Sequence, residues 1–131
     1  MTIVVGYVPT PEGLAAIDHA LEEAERRPTR LVVINTSTGN SLVDPRYASD
    51  VDLDTLRQRL TDAGVDFEIR QSVTGKDASQ AILEAARQGN ADLIVIGVRR
   101  RTAVGKLLLG SQAQVVLLEA DCPVLAVKAP R

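Results

Sequence analysis

The chain has little of the side-chain chemistry on which most enzymes and metalloproteins depend. Cys122 is the single cysteine, which excludes an internal disulfide and any metal site built from several cysteines. His19 is the single histidine, and it falls off the apolar stripe of the first predicted helix, so we expect it at the surface. There is no Ser-His-Asp set, nucleophile elbow or adenylyl-transfer motif. We therefore expect a binding protein rather than an enzyme, with slow ATP hydrolysis as the one activity left open.

Aromatic residues are also scarce, at 2% of the 131 residues, whereas hydrophobic residues make up 45%. The core must be built from Val, Leu, Ile and Ala, which suit a parallel sheet buried on both faces. This length predicts one domain over residues 1–131. The formal net charge of −2 argues against general nucleic-acid binding. No apolar run approaches the roughly 20 residues of a membrane span and no signal-peptide pattern is visible, so we expect a cytoplasmic protein with no membrane contact.

Short apolar runs alternate with segments of helical spacing along the whole chain. The predicted strands are Thr2–Val8, Arg30–Asn35, Val65–Val73, Ala91–Ile96 and Pro123–Val127. The predicted helices run from about Pro11 to Arg26, through Leu53 to Ala63, through Ala78 to Ala85, and from Ser111 to Ala120. Regular alternation of this kind implies parallel strands joined by helical crossovers, so we predict an α/β fold with a three-layer doubly wound sheet.

Two of these elements carry a more detailed prediction. In the first helix the spacing of Leu14, Ile17, Leu21 and Ala24 predicts that this stripe lies on the sheet. The third strand alternates between apolar and polar residues from residue 65 to residue 73, which is typical of an outer, partly exposed strand.

The most specific pattern lies in residues 91–114, ADLIVIGVRRRTAVGKLLLGSQAQ. An apolar strand ends at Gly97, a run of three arginines follows, and Gly110-Ser111 opens a new helix. A helix start exposes backbone N–H groups and the positive end of the peptide dipoles, and guanidinium groups fork phosphate oxygens. In a doubly wound sheet, ligands bind at the carboxyl ends of the strands, which here are Val8, Thr36 and Gly97. The pattern therefore predicts a site for a phosphorylated small molecule.

The register of this segment also carries a family resemblance. Gly97, Arg100, Gly110 and Ser111 follow the spacing of a glycine, two residues, a glycine, nine residues and Gly-Ser. With the closing CPVLAV strand, the chain resembles the universal stress protein family over nearly its whole length. The resemblance implies an adenine nucleotide α-hydrolase-like or flavodoxin-like sheet of five parallel strands in the order 3-2-1-4-5. It also implies a stress-response or signalling protein that binds ATP or another adenine nucleotide, with Mg²⁺ expected only beside ATP.

The resemblance assigns a set of residues to the nucleotide, with Val8 and Thr36 on the adenosine side. These residues are Gly6, Tyr7, Val8, Thr36, Ile96, Gly97, Arg99, Arg100, Gly110, Ser111 and Gln112. Two of them depart from the family pattern. Arg100 stands where the family has its second glycine, and Val8 stands where ATP-binding members usually carry an acidic residue. Arg100 either donates to phosphate oxygens or fills the space that a phosphate needs. The alternative function is a nucleotide-free dimeric interaction module of the same family.

The end of the chain predicts self-association. Pro123–Val127 at the edge of a sheet leaves backbone groups open to another chain, a hazard that proteins usually cover. The helix before it carries four consecutive apolar residues from Val115 to Leu118, more than one sheet-facing stripe requires. We therefore expect a homodimer formed through this strand and this helix, which the family resemblance also implies.

Overall fold

A computed structural model describes residues 1–37, 48–73, 77–98 and 111–130. Five strands alternate with four helices in these segments, as predicted. The strands are β1 (Thr2–Gly6), β2 (Arg30–Ser37), β3 (Asp66–Val73), β4 (Leu93–Val98) and β5 (Val124–Lys128). The helices are α1 (Pro11–Ala24), α2 (Asp50–Asp62), α3 (Ala78–Gln88) and α4 (Ser111–Glu119). The fourth strand was predicted two residues too early, because Ala91 donates its backbone N–H to Ala86 at the end of α3 rather than to a neighbouring strand.

The strands form one parallel sheet in the order β3-β2-β1-β4-β5, which confirms the predicted order. Helices cover both faces of the sheet. One core cluster lies between the sheet and α1 with α2, and contains Ile17 and Leu60. The other lies between the sheet and α3 with α4, and contains Ile82 and Val116. Because both faces are buried, the central strands are continuous aliphatic runs, as the scarcity of aromatic residues predicts.

The prediction that Leu14 lies on the sheet with the rest of the apolar stripe of α1 is wrong. Leu14 is 48% exposed, and the residues that face the sheet are Gly13, Ala16, Ile17 and Ala20. A side chain at residue 13 would collide with the carbonyl oxygen of Val8, because the first turn of α1 packs that closely on the connection that leads from β1. The helix therefore turns Ile17 and several small residues toward the sheet, and leaves Leu14 partly exposed.

The outer strand β3 is partly exposed, as predicted, and carries a ladder of charges with β2. Arg30 donates to Asp66 at 3.1 Å and to Glu68 at 3.3 Å, and Arg70 donates to Glu68 at 3.0 Å. The hydrogen bond from Arg70 is the main cause that lowers the pKa of the Glu68 carboxyl. These exposed pairs contribute little to stability individually, but they give this edge of the sheet a charged border.

The opposite edge is formed by β5, which follows α4 in the chain. On α4, Val116 is buried in the core, whereas Leu117 is 37% and Leu118 is 84% exposed. Packing against the rest of the fold therefore buries only part of the apolar surface of this helix. In the segments that the structure describes, no helix is both long and apolar enough to cross a membrane.

Candidate functional site

A cavity of about 210 Å³ lies where β1, β2 and β4 end, beside the N-terminal ends of α3 and α4. Successive connections leave the sheet on opposite faces here, which is the position at which doubly wound sheets hold their ligands. The cavity is lined by Gly6, Tyr7, Val8, Ile34, Thr36, Asp77, Ala78, Ile82, Ile96, Gly97, Gln112, Ala113 and Val116.

The structure brings together seven of the residues that the sequence assigns to a ligand. They are Gly6, Tyr7, Val8, Thr36, Ile96, Gly97 and Gln112. Ser111 is the first residue of α4, next to Gln112. The other predicted residues, Arg99, Arg100 and Gly110, lie outside the described residues.

The floor of the cavity is apolar. It is formed by Ile34, Ile82, Ile96 and Val116, which also belong to the core cluster under α3 and α4. Gly6 keeps this floor open, since a Cβ at residue 6 would lie 2.6 Å from the Cδ1 atom of Ile82. Such a slot is suited to a flat, uncharged group that buries apolar surface, and polar groups of a ligand would lie at the rim.

Gly97 is required on the face of the sheet opposite the cavity. A Cβ at residue 97 would collide with the backbone of Glu12 in the first turn of α1. The sequence prediction gave a different reason, namely close approach of the backbone to a ligand. Gly97 and Gly13 together let α1 pack tightly on the ends of β4 and β1, so that the backbone at Val8 is held in place beside the cavity.

Tyr7 lines the cavity, but its side chain is part of the buried cluster on the α1 and α2 face. Burial is the main cause that raises the pKa of the Tyr7 phenol, and the negative charge of Asp52 adds to it. Tyr7 therefore contributes backbone rather than its hydroxyl to the cavity.

A buried hydrogen-bond network behind the cavity was missed at the sequence level. Its centre is Asn35 in β2, which is fully buried. The side-chain Nδ2 of Asn35 donates to the Tyr7 carbonyl at 2.8 Å, and its Oδ1 accepts from the Ala48 N–H at 2.9 Å. Gln71 in β3 donates to the same Oδ1 at 3.1 Å and to the Ala48 carbonyl at 2.6 Å. One amide thus joins the ends of three strands to the residue that leads into α2.

A second contact missed at the sequence level joins the two helices above the cavity. The Oε1 atom of Gln112, in the first turn of α4, accepts a hydrogen bond of 2.9 Å from the backbone N–H of Ser79 in α3. Asp77 and Ala78, at the start of α3, line the cavity beside this contact. From the sequence, only Asp77 could have been identified, because an aspartate before a helical pattern is a candidate helix cap.

A larger groove of about 960 Å³ lies between α1 and α2, away from the strand ends. It is a broad surface depression, lined mainly by charged and polar side chains and crossed by a hydrogen bond from Arg59 to Asp18. Its size comes from its open shape, so we take the smaller cavity at the strand ends as the candidate site. Among the described residues, no group of His, Cys, Asp and Glu side chains could hold a metal ion.

Comparisons with known proteins identify the family of the chain and agree with its fold. The model of the universal stress protein family matches residues 1–128. A universal stress protein of Mycolicibacterium smegmatis is 52% identical over 126 residues, which are 96% of each chain. A universal stress protein from Archaeoglobus fulgidus, solved in complex with dAMP, is 28% identical, with a TM-score of 0.63 and 98% of each chain covered. A universal stress protein solved in complex with cAMP is 27% identical, with a TM-score of 0.72 over 99% of this chain and 98% of that one.

Proposed function

Because this chain belongs to the universal stress protein family, we propose that it binds an adenine nucleotide in the cavity at the ends of β1, β2 and β4. The observation that carries the proposal is that seven residues assigned to the nucleotide from sequence line this one cavity. Two similar proteins have been solved with dAMP and with cAMP. We propose ATP as the first candidate among the adenine nucleotides, and we expect Mg²⁺ only if the nucleotide is ATP.

The cavity is large enough to bury only part of a nucleotide. At about 210 Å³ it is smaller than the usual ligand pocket of about 300 to 1,000 Å³, which supports burial of the base with part of the sugar rather than of the whole nucleotide. The apolar floor would take the adenine. The phosphates would extend toward the start of α4 at Ser111, where backbone N–H groups and the helix dipole favour negative charge.

We propose that the role is binding rather than catalysis, within a stress response or signalling in the cytoplasm. The polar groups of the described lining are one aspartate, one threonine, one glutamine, a buried tyrosine and backbone atoms. They can orient and select a ligand, but they do not form a nucleophile with a base beside it. A bound nucleotide would act by changing the surface that the protein presents to its partners.

The test is isothermal titration with ATP, ADP, AMP and cyclic AMP. We expect the wild type to bind at least one of them, and the Ala113→Phe variant to bind it more than about tenfold more weakly, because a phenyl ring would occupy much of the cavity. Val51→Phe is the matched control, since it places the same ring at a position of α2 that is 73% exposed and outside the cavity lining, and it should leave affinity unchanged.

Millimolar or absent binding by the wild type would contradict this proposal and favour the nucleotide-free interaction module. The same titration of Arg100→Gly separates the two roles open to that arginine. Tighter binding by the variant would mean that Arg100 obstructs the phosphate, and weaker binding would mean that it donates to it.

We also propose that two copies of the chain associate through β5 and α4. The position of β5 at the sheet edge and the exposure of Leu117 and Leu118 support this interface. In sedimentation equilibrium we expect a dimer for the wild type and a shift toward monomer for Leu118→Asp. Val51→Asp is the control, because Val51 is 73% exposed on α2, away from this surface. A wild type that is monomeric at all concentrations would contradict the interface.

A further inference from the structure

Asp77 stands immediately before α3, at the position of the helix cap, yet it does not cap the helix. An aspartate at this position commonly accepts a hydrogen bond from the backbone N–H of the second or third helical residue. The side chain of Asp77 makes no such bond. It lies at the rim of the cavity and is exposed to solvent.

The reason is the contact between α3 and α4. Ser79 is the second residue of α3, and its N–H already donates to the Oε1 atom of Gln112 at 2.9 Å. Gln112 therefore performs the capping that Asp77 would otherwise perform. The carboxylate of Asp77 is left without a capping bond, and Asp77 lines the cavity.

Asp77 is the only carboxylate among the described residues that line the cavity. A bound nucleotide has three parts that could meet it. The phosphates are negatively charged and would be repelled by a carboxylate. The base would occupy the apolar floor formed by Ile34, Ile82, Ile96 and Val116, below the rim. The sugar lies between these two parts, and its hydroxyl groups are hydrogen-bond donors.

We infer, on the basis of the proposed nucleotide site, that the Asp77 carboxylate accepts hydrogen bonds from the ribose hydroxyl groups and makes the site select a nucleotide with a complete ribose over its 2′-deoxy or 3′-deoxy form. Of the other polar side chains at the cavity, Thr36 offers a neutral hydroxyl, and the Gln112 oxygen is engaged with α3. Hydrogen bonds to an ionised acceptor are about twice as strong as those between neutral groups, so Asp77 should dominate the selection.

The experiment compares AMP, 2′-deoxy-AMP and 3′-deoxy-AMP by isothermal titration against the wild type and Asp77→Ala. We expect at least one deoxy nucleotide to bind the wild type about tenfold more weakly than AMP. In Asp77→Ala this ratio should fall to about one, because AMP binds more weakly while the deoxy nucleotide does not. The melting temperature should fall by no more than a few degrees, since Asp77 makes no capping bond and contributes only its charge at the start of α3. Asp54→Ala, in the groove between α1 and α2, removes the same charge away from the cavity and should keep the wild-type ratio.

The outcomes separate this inference from the proposed function. If the wild type binds none of ATP, ADP, AMP and cyclic AMP, neither the proposed site nor the inference holds; if it binds ATP or ADP but not AMP, the comparison is made with that nucleotide and its two deoxy forms. If AMP binds and both deoxy nucleotides bind as tightly as AMP, nucleotide binding stands and the inference is overturned. It is also overturned if the preference persists in Asp77→Ala, because another group must then contact the ribose.

Discussion

Replacement of Asn35 by leucine should lower the free energy of unfolding by about 2 to 5 kcal/mol. The side chain is fully buried and bonds with the Tyr7 carbonyl, the Ala48 N–H and the Gln71 amide. Leucine would leave two backbone groups buried without these partners, and each such group costs about 1 to 3 kcal/mol. Urea unfolding measures the change, with an unaltered denaturant slope showing that the compactness of the two states is the same.

The matched control is Gln58→Leu, which removes an amide that donates to Asp62 at 2.8 Å on the exposed surface of α2. A surface change of this kind should alter stability by about 0.5 kcal/mol or less. Because Asn35 holds the end of β1 beside the cavity, we also expect the folded Asn35→Leu protein to bind nucleotide more weakly than the control. Equal stability of the two variants would contradict the role that we assign to the buried network.

Gly13→Ala should destabilise the protein by about 2 kcal/mol, although alanine is the better helix former by about 1 kcal/mol. Gly13 lies in the first turn of α1, and a Cβ there would collide with the Val8 carbonyl oxygen. Since the obstacle is backbone, no side-chain rotation can relieve it. The first turn of α1 and the Val8 carbonyl must move apart, and because Val8 lines the cavity we expect nucleotide affinity to fall as well. Thermal and urea unfolding report the first effect and titration reports the second.

Leu14→Ala tests the same turn of the same helix without the collision. Leu14 is half-exposed, so the loss of its side chain should cost less than about 1 kcal/mol. If Gly13→Ala instead stabilised the protein by about the difference in helix propensity, the close contact between the first turn of α1 and Val8 would not be present in solution.

The fold could be predicted from the sequence because its determinants are local. Apolar runs such as Arg30–Asn35 identify strands without reference to the rest of the chain, and their alternation with helices fixes a parallel sheet. The same logic identified Val8, Thr36 and Gly97 as strand ends that meet at one edge, and all three line the cavity. The strand order itself came from the family resemblance.

The parts that could not be predicted depend on contacts between distant segments. Asn35 looks like an ordinary strand end until Ala48 and Gln71 are placed beside it. The role of Gln112 requires knowledge that α4 begins next to α3. Leu14 is partly exposed because α1 packs closely on Val8 through Gly13. The spacing of apolar residues in the sequence does not report how closely a helix packs.

The contrast between the two borders of the sheet has a consequence for polymerisation. The β3 border presents alternating charges at Arg30, Asp66, Glu68 and Arg70, which oppose the docking of a further strand. The β5 border is more apolar and short. In the association that we propose through β5, the charged β3 border leaves each subunit one border for a like subunit, which it meets by two-fold symmetry. Growth of that assembly would stop at a closed pair, so a continuous fibre of sheets joined edge to edge is disfavoured.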